Sequence, residues 1–404
     1  MTIKFPRPGE FLLRDDPMIM LRRILKVHGF DGKKKYFWIA ATIIKILLLF
    51  DRIAFVLLCL DRPRRVAELT ASLPVAMTGV LKMVYLYVDK SRVNYLYDTI
   101  TTEFWDYRIY GPQLEKEAKA IFKYANRILW SYIANSVLCL TLFLMFPVAD
   151  MPSENDRILP NVVWSPVDLN PSPLYEIVFM ILFVNGILTY LGNAAYDYFY
   201  SYCVQHLVVQ FIILKELLRN ITEDIMSDAS DVEKFNSKYF QDTVMERMKI
   251  CSEHHSKLLK YGKNIESYCW FVLVPQLVLT YAALVVNAFM LSTDRSDVPK
   301  TITLFNLSVT TFIQLAQFAI PSSQMNAQSI SVLNAVYDSK WYLFNARMKR
   351  ACTFMMMNGQ EGIVVKAGGT TKINNPLLVD MLQKVFSAVT LLRALIGIDG
   401  GISE

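Results

Sequence analysis

Seven stretches of this chain, roughly 36–60, 69–88, 128–148, 174–204, 268–291, 301–320 and 376–398, are apolar runs of about 20 residues or more. A bilayer core about 30 Å thick needs about 20 mostly apolar helical residues to cross it. Composition agrees with repeated crossing. Hydrophobic residues make up 53% and charged residues 19%, against roughly 25% charged in an average soluble chain. A disordered, collagen-like or small disulfide-stapled protein is excluded. Three runs carry charge or excess length. The first holds Lys45, Asp51 and Arg52, the fourth continues as LGNAAYDYFYSYC, and the seventh holds Asp380, Lys384 and Arg393. The expected fold is an all-α membrane protein with seven transmembrane helices.

The basic residues orient it. Of the 42 Lys and Arg, 31 lie in the N-terminal segment and in every second loop after it, and 6 lie in the alternate loops. The positive-inside rule therefore places the N-terminus in the cytosol and the C-terminus outside, opposite to a G-protein-coupled receptor. The net charge of +6 is this asymmetry and not a nucleic-acid patch. The first 35 residues hold nine Lys and Arg and no clean apolar run, so no signal peptide is expected. The absence of internal repeats disfavours a secondary transporter.

The organisation follows. Residues 1–35 form a cytosolic segment and 36–204 the first four spans. An outer loop, 149–173, is Pro-rich and acidic, and reads as a rigid non-helical lid. Residues 205–267 read as a cytosolic helical extension, because Leu207, Phe211, Leu214, Leu218, Ile221 and Ile225 recur at helical spacing. A packed bundle is favoured there over a solvated linker. Spans five and six occupy 268–320, a cytosolic anchor helix and loop 321–374, and the last helix with a short outer C-terminus 375–404. The six cysteines read as small buried hydrophobes. Cys251, His254 and His255 could begin a metal cluster, but the charged stretch around them reads rather as a solvated helix face. No P-loop, GxGxxG, HExxH or GxSxG is present, so neither an enzyme nor a cofactor is expected.

Charges within a lipid-facing helix are costly, so they face protein or water. In the last span Asp380, Lys384, Ser387, Leu391, Ala394 and Ile398 fall within about 40° of one line, with Gln383 and Leu395 beside it. Repeated about a symmetry axis, this stripe would give a wet inner vestibule and an apolar outer gate. Alternatively, its charges pair with Lys45, Asp51 or Lys82 on neighbouring spans. Both readings stand at this point.

The stretch SVLNAVYDSKWYLFNARMKRACTFMMMNGQEGIVVKAGG, with VFSAVTLLR in the last span, resembles the C-terminal signature of insect odorant receptors. The matching positions are Tyr337, Trp341, Tyr342, Arg350, Gln360, Ala367, Gly368, Phe386 and Ser387. Gly362 stands where the family usually has Pro, and KINNPL at 372–377 is atypical. The resemblance implies an odorant-gated, non-selective cation channel subunit, tuned to a ligand and distinct from the shared co-receptor, whose inner loop between the fourth and fifth spans is longer. It implies a heterotetramer with that co-receptor, a pore lined by the last helix, and a plasma-membrane location in a sensory dendrite. A gustatory-type receptor channel is the nearest alternative.

The implied odorant site lies in the outer half of the bundle. Candidate residues are Met77 and Leu81 on span two, and Ser136, Leu140 and Phe143 on span three. Phe183, Ile187 and Tyr190 on span four and Tyr281 on span five complete the set. Leu391, Leu395 and Ile398 would gate the pore, with Asp380, Lys384 and Ser387 below. The aromatic trio Tyr337, Trp341 and Tyr342 buries large areas on one helix side, either between subunits or within one chain. The implied partners are the co-receptor, a small volatile odorant, lipid and permeating cations.

Overall fold

The computed structural model describes residues 35–58, 70–149, 169–293 and 298–396, together with positions 159 and 165. The proposed lid at 149–173, the cytosolic segment 1–34, Cys59 and Ile398 lie wholly or largely outside them.

Among the described residues ten α-helices carry the fold: α1 (Lys35–Leu58), α2 (Leu73–Val88), α3 (Lys90–Glu103), α4 (Pro112–Ala149), α5 (Leu174–Arg219), α6 (Asp231–Asn236), α7 (Lys238–Thr293), α8 (Val298–Tyr337), α9 (Ala346–Gly359) and α10 (Asn375–Ile396). The seven expected spans are α1, α2, the second half of α4, the first half of α5, the second half of α7, the first half of α8, and α10. Three of these helices, α5, α7 and α8, are long and apolar enough to cross a membrane by length and composition alone. Three of the others fall short for visible reasons. The helix α2 has 16 residues, while α1 and α10 carry the charges noted above. Large apolar side chains point outward along the spans, among them Ile43, Leu47 and Phe50 on α1, Met180, Ile181 and Val184 on α5, and Phe271 and Val278 on α7. That is the surface a lipid-embedded bundle presents.

Length places the main core below the membrane. At 1.5 Å per residue, the 46 residues of α5 and the 56 of α7 extend about 70 and 84 Å, far beyond a hydrocarbon core. Their excess packs with α3, the first half of α4 and the end of α8. Leu207, Phe211, Leu214, Leu218 and Ile221 are fully buried there, and Ile225 nearly so. Residues 205–267 are thus a packed bundle, not a solvated linker.

Cys251, His254 and His255, expected on a solvated face, are instead buried. His254 stacks on Trp105 with ring centroids 3.6 Å apart, and its Nε2 lies 3.1 Å from Gln210 Oε1. Gln210 also grips the Trp105 backbone, accepting from its N–H at 3.0 Å and donating to its carbonyl at 2.8 Å. These partners lie far away in sequence, so local charge density concealed the burial. Among the described residues no cluster of three or more His, Cys, Asp and Glu could hold a metal ion. The described cysteines, Cys139, Cys203, Cys251, Cys269 and Cys352, are free and buried.

A short hairpin aims α10. Strands β1 (Lys366–Ala367) and β2 (Thr371–Lys372) pair antiparallel, and buried Val365, Ala367 and Ile373 pin them to the bundle. The Asn374 side chain accepts from the Leu377 N–H at 3.2 Å, a cap that starts α10 with Pro376 in its first turn. The Asn375 N–H donates to Ser323 Oγ on α8 at 2.7 Å. KINNPL is therefore a strand end, a cap and a helix start.

Candidate functional site

In the outer half of the bundle a cavity of about 70 Å³ opens between α1, α2, α4, α5 and α8. Its walls are Arg52 from α1, Ser72, Val75 and Ala76 at the start of α2, Cys139 and Leu140 from α4, and Thr303 and Leu307 from α8. The helix α5 contributes Leu182, Asn185, Gly186, Thr189 and Tyr190. These lie three or four residues apart, one face of one helix.

The helices approach closely beneath the cavity. A Cβ on Gly79 of α2 would lie 2.8 Å from Thr189 Cγ2, and one on Gly192 of α5 would lie 2.7 Å from Met83 Cγ. Two bare backbones thus let α2 and α5 touch, as small residues do in membrane packing.

The polar groups on the walls are mostly committed. Arg52 Nη2 donates to Ser72 Oγ at 3.1 Å, the Tyr190 hydroxyl to Cys139 Sγ at 3.2 Å, and the Thr189 hydroxyl to the Asn185 carbonyl at 2.8 Å. Apolar Val75, Leu140, Leu182 and Leu307 complete the chamber. It can enclose a small molecule chiefly by shape and apolar burial, worth roughly 25 cal/mol per Å².

Of the nine expected ligand residues, Leu140 and Tyr190 line this cavity. Ser136 is buried one turn below Leu140. Met77, Phe183 and Ile187 are half-buried off its walls. Leu81 packs on the main cytosolic core. Tyr281 packs with Leu284, Leu315, Met381 and Val385 at the junction of α7 with α10. The Phe143 side chain is outside the described set. Of the expected α5 residues Phe183, Ile187 and Tyr190, Tyr190 lines the cavity, while Phe183 and Ile187 each follow a wall residue, Leu182 and Gly186, by one position. Arg52 was legible as an ion inside an apolar run, whereas Asn185, Gly186 and Thr189 gave no such signal.

The helix α10 buries Leu377, Met381 and Val385 against α7 and α8. Gln383, Lys384, Ser387, Leu391, Ala394 and Leu395 are exposed, and Asp380 half-exposed, on a different face of the helix. Lys384 and Asp380 pair with each other at 2.8 Å. Lys82 pairs instead with Asp197, and Lys45 Nζ lies 3.0 Å from Met83 Sδ. The alternative in which the Asp380–Lys384 charges are absorbed by Lys45, Asp51 or Lys82 is not what this structure shows.

The aromatic trio is also outward. Tyr337, Trp341 and Tyr342 are 67, 40 and 52% exposed. Their rings therefore do not form an intramolecular core. Tyr337 and Trp341 lie 6.3 Å apart, with Lys349 Nζ 5.8 Å from the Trp341 ring.

Over residues 65–386 the chain matches the family model described as 7tm Odorant receptor. It is 22% identical to Odorant receptor 30a of Drosophila melanogaster across 63% of each chain. It is 23% identical to Odorant receptor Or2 of Anopheles gambiae across 59% of this chain and 61% of that one. The chain spans about three fifths of the length of these relatives. Its fold is similar to that of the insect olfactory receptor OR5 from Machilis hrabei, with a TM-score of 0.78 at 11% identity over 93% of this chain and 97% of that one. The same receptor in complex with eugenol gives a TM-score of 0.79 at 12% identity over 94% and 100%.

Proposed function

Since this chain belongs to the 7tm Odorant receptor family, we propose that it is the ligand-tuned subunit of an odorant-gated, non-selective cation channel in the plasma membrane of a sensory dendrite. It assembles with the odorant receptor co-receptor as a heterotetramer around a pore lined by α10. A small volatile molecule enters the outer cavity, where Leu140 and Tyr190 lie. Of the other expected residues, Met77, Ser136, Phe183 and Ile187 act from around the cavity, while Leu81 and Tyr281 act at a distance from it.

The observation that carries this reading is the split character of α10. One face is packed on α7 and α8, while the polar-to-apolar stripe from Asp380 to Leu395 has no covering element within the described chain. An uncovered polar stripe in a membrane needs water or protein opposite it. Four copies about an axis supply both, with Asp380, Lys384 and Ser387 in a wet inner mouth and Leu391, Leu395 and Ile398 as the outer constriction. Tyr337, Trp341 and Tyr342 grip the neighbouring subunit in the cytosol.

Gating is a population shift: the ligand binds the open arrangement more tightly than the closed one. Tyr281, between α7 and α10, lies where motion of α7 would reach the pore helix. The test is current evoked by a broad volatile panel in cells expressing this chain with and without the co-receptor. Evoked cation current in the co-expressing cells supports the reading, and none in either pairing overturns it.

A further inference from the structure

We propose that Pro275 of α7 and Pro321 of α8 form a paired hinge, wetted by water bound at the Gln276 and Gln317 amides, on which the upper halves of α7 and α8 tilt α10 against its foot. The hinge is read from the packing of this chain alone. Its effect on current rests on the reading of α10 as the pore helix.

Each proline lies inside a long helix. Proline has no N–H to give, so the carbonyls four residues earlier, those of Phe271 and Gln317, lose their helical donor. Such a point is where a helix bends. Here the two points coincide in depth. The helices α7 and α8 run antiparallel, and Met290 shares a packed cluster with Leu304, and Leu284 with Leu315. Carried toward the cytosol, that register sets Pro275 level with Pro321. Two packed helices weakened at one level can bend together, whereas an unbroken neighbour would splint a single weak point.

Unpartnered amides mark the same level. Gln317, whose carbonyl Pro321 frees, is 4% exposed, and neither its Oε1 nor its Nε2 has a partner. Gln276 follows Pro275 and is 1% exposed. Its Nε2 donates to Thr280 Oγ1 at 3.0 Å, while its Oε1 has no partner. Orphaned amides are costly in a bilayer, and prolines persist in spans where water or side chains serve the freed carbonyls. An amide beside such a carbonyl offers a water molecule the donor and acceptors it needs.

The hinge divides the supports of α10. Above it, Leu284 of α7 and Leu315 of α8 pack on Met381 and Val385, with Tyr281 beside them. Below it, Ser323 of α8 accepts from the Asn375 N–H at the foot of α10 at 2.7 Å. The segment leading to that foot is tied to the same lower part of α8, because the Ile363 N–H donates to Ser329 Oγ at 2.9 Å. Bending at the prolines therefore tilts the shaft of α10 while its foot stays fixed.

Three measurements on the full-length chain test this. In the purified receptor, backbone hydrogen exchange should be faster at 276–279 and 322–325 than in the neighbouring turns of the same spans. It should slow about tenfold in Pro275→Ala combined with Pro321→Ala, because alanine restores the N–H and suits a helix interior. Either single variant serves where the pair does not fold. Gln317→Leu should lower the melting temperature of the parent but not of Pro321→Ala, where the carbonyl has its helical donor again. In the co-receptor complex, the ratio of evoked to basal current should fall about tenfold in the double proline variant. The evoking probes are eugenol, octanol and acetophenone.

Exchange no faster at the prolines than around them, or unchanged by alanine, overturns the hinge. An equal effect of Gln317→Leu in both backgrounds overturns the bound water. An unchanged current ratio in the double variant overturns the coupling to α10. No current from the parent chain in any pairing counts against the channel reading, and altered exchange in the alanine variants then still supports the hinge.

Discussion

Lys82 Nζ lies 2.5 Å from Asp197 Oδ1, and neither side chain has any exposed surface. The pair joins α2 to α5 beneath the outer cavity, with the Lys82 ammonium 5.2 Å from the Phe318 ring centroid. Gln314 of α8 donates at 3.0 Å both to the second Asp197 oxygen and to Asn193 Oδ1. Asn193 in turn donates to the Val75 carbonyl at 3.3 Å, on the cavity wall. Three spans are thereby tied at one depth by ions and amides that would each be costly alone.

Removing one member should be worse than removing both. Lys82→Met leaves Asp197 buried without its cation, which destabilises by about 3–5 kcal/mol. Lys82→Met with Asp197→Leu should recover most of that loss, because no uncompensated charge remains. The check is thermal unfolding of the detergent-purified chain. A single variant as stable as the parent would show that the pair is not a structural tie.

Acid should weaken the cytosolic bundle through its buried histidines. Burial lowers His206 and His254 to about 3 and His255 to about 4, below the ordinary value of about 6.5. The folded chain thus holds them neutral while the unfolded chain takes up protons below about pH 6.5. Their stabilising contribution is complete above that pH and is lost as pH falls toward 4 and 3. Each contributes a slope of up to about 1.4 kcal/mol per pH unit in that window. Melting temperature should be lower at pH 5 than at pH 7.5, with a smaller difference in His254→Gln. A melting temperature independent of pH would remove this account.

What could be read from the sequence follows a physical line. The spans were legible because bilayer thickness demands length, and their direction because lysine and arginine are asymmetrically placed. The α10 stripe was legible because ions in lipid are costly. Helical phase in the outer half was not. In a membrane the lipid-facing side of a helix is as apolar as the packed side, so Phe183 and Ile187 looked as good as Leu182 and Gly186. Gly186 meets Leu140 because it is small, a fact visible only once the partner helix is placed. His254 was misread for a related reason, since Trp105 and Gln210 come from distant segments.

Gly362, where the resembling family usually has proline, is fixed by its backbone. Its φ of +61° lies in the left-handed region, and a Cβ there would lie 2.6 Å from Ile330 Cγ1 and 2.8 Å from Asn326 Nδ2. Proline cannot adopt that φ. Gly362→Ala should therefore cost both strain and overpacking, about 2–4 kcal/mol together. Gly369→Ala, with φ of +75° and open space around it, should cost only about 1 kcal/mol. Chemical or thermal denaturation of both variants distinguishes them; equal losses would mean that crowding at Gly362 is relieved.

The aromatic trio should matter to assembly and not to the single chain. Tyr337, Trp341 and Tyr342 are exposed, so truncating them changes subunit folding little. At a subunit interface, buried aromatics are worth about 2 kcal/mol or more each. Tyr342→Ala combined with Trp341→Ala should reduce the tetramer fraction of the co-expressed complex, read by mass photometry, while monomer melting stays within about 1 kcal/mol of the parent. A tetramer fraction untouched by both substitutions would place the subunit contact elsewhere.

The outer end of α10 should hold the pore shut. Leu391 and Leu395 are 61 and 73% exposed in the single chain, so in a tetramer they are free to meet across the axis and exclude water. Leu395→Ala widens that constriction and should raise the current measured without odorant. At the inner end, Asp380 and Lys384 compensate each other, so the local field is weak until one is removed. Asp380→Asn leaves Lys384 facing the vestibule and should lower cation conductance, whereas Lys384→Gln leaves the carboxylate and should raise it. Single-channel recording in low salt, where screening is least, is the sensitive measurement. Opposite signs for the two substitutions would locate the ion path along this face of α10, and equal or absent effects would remove it from that face.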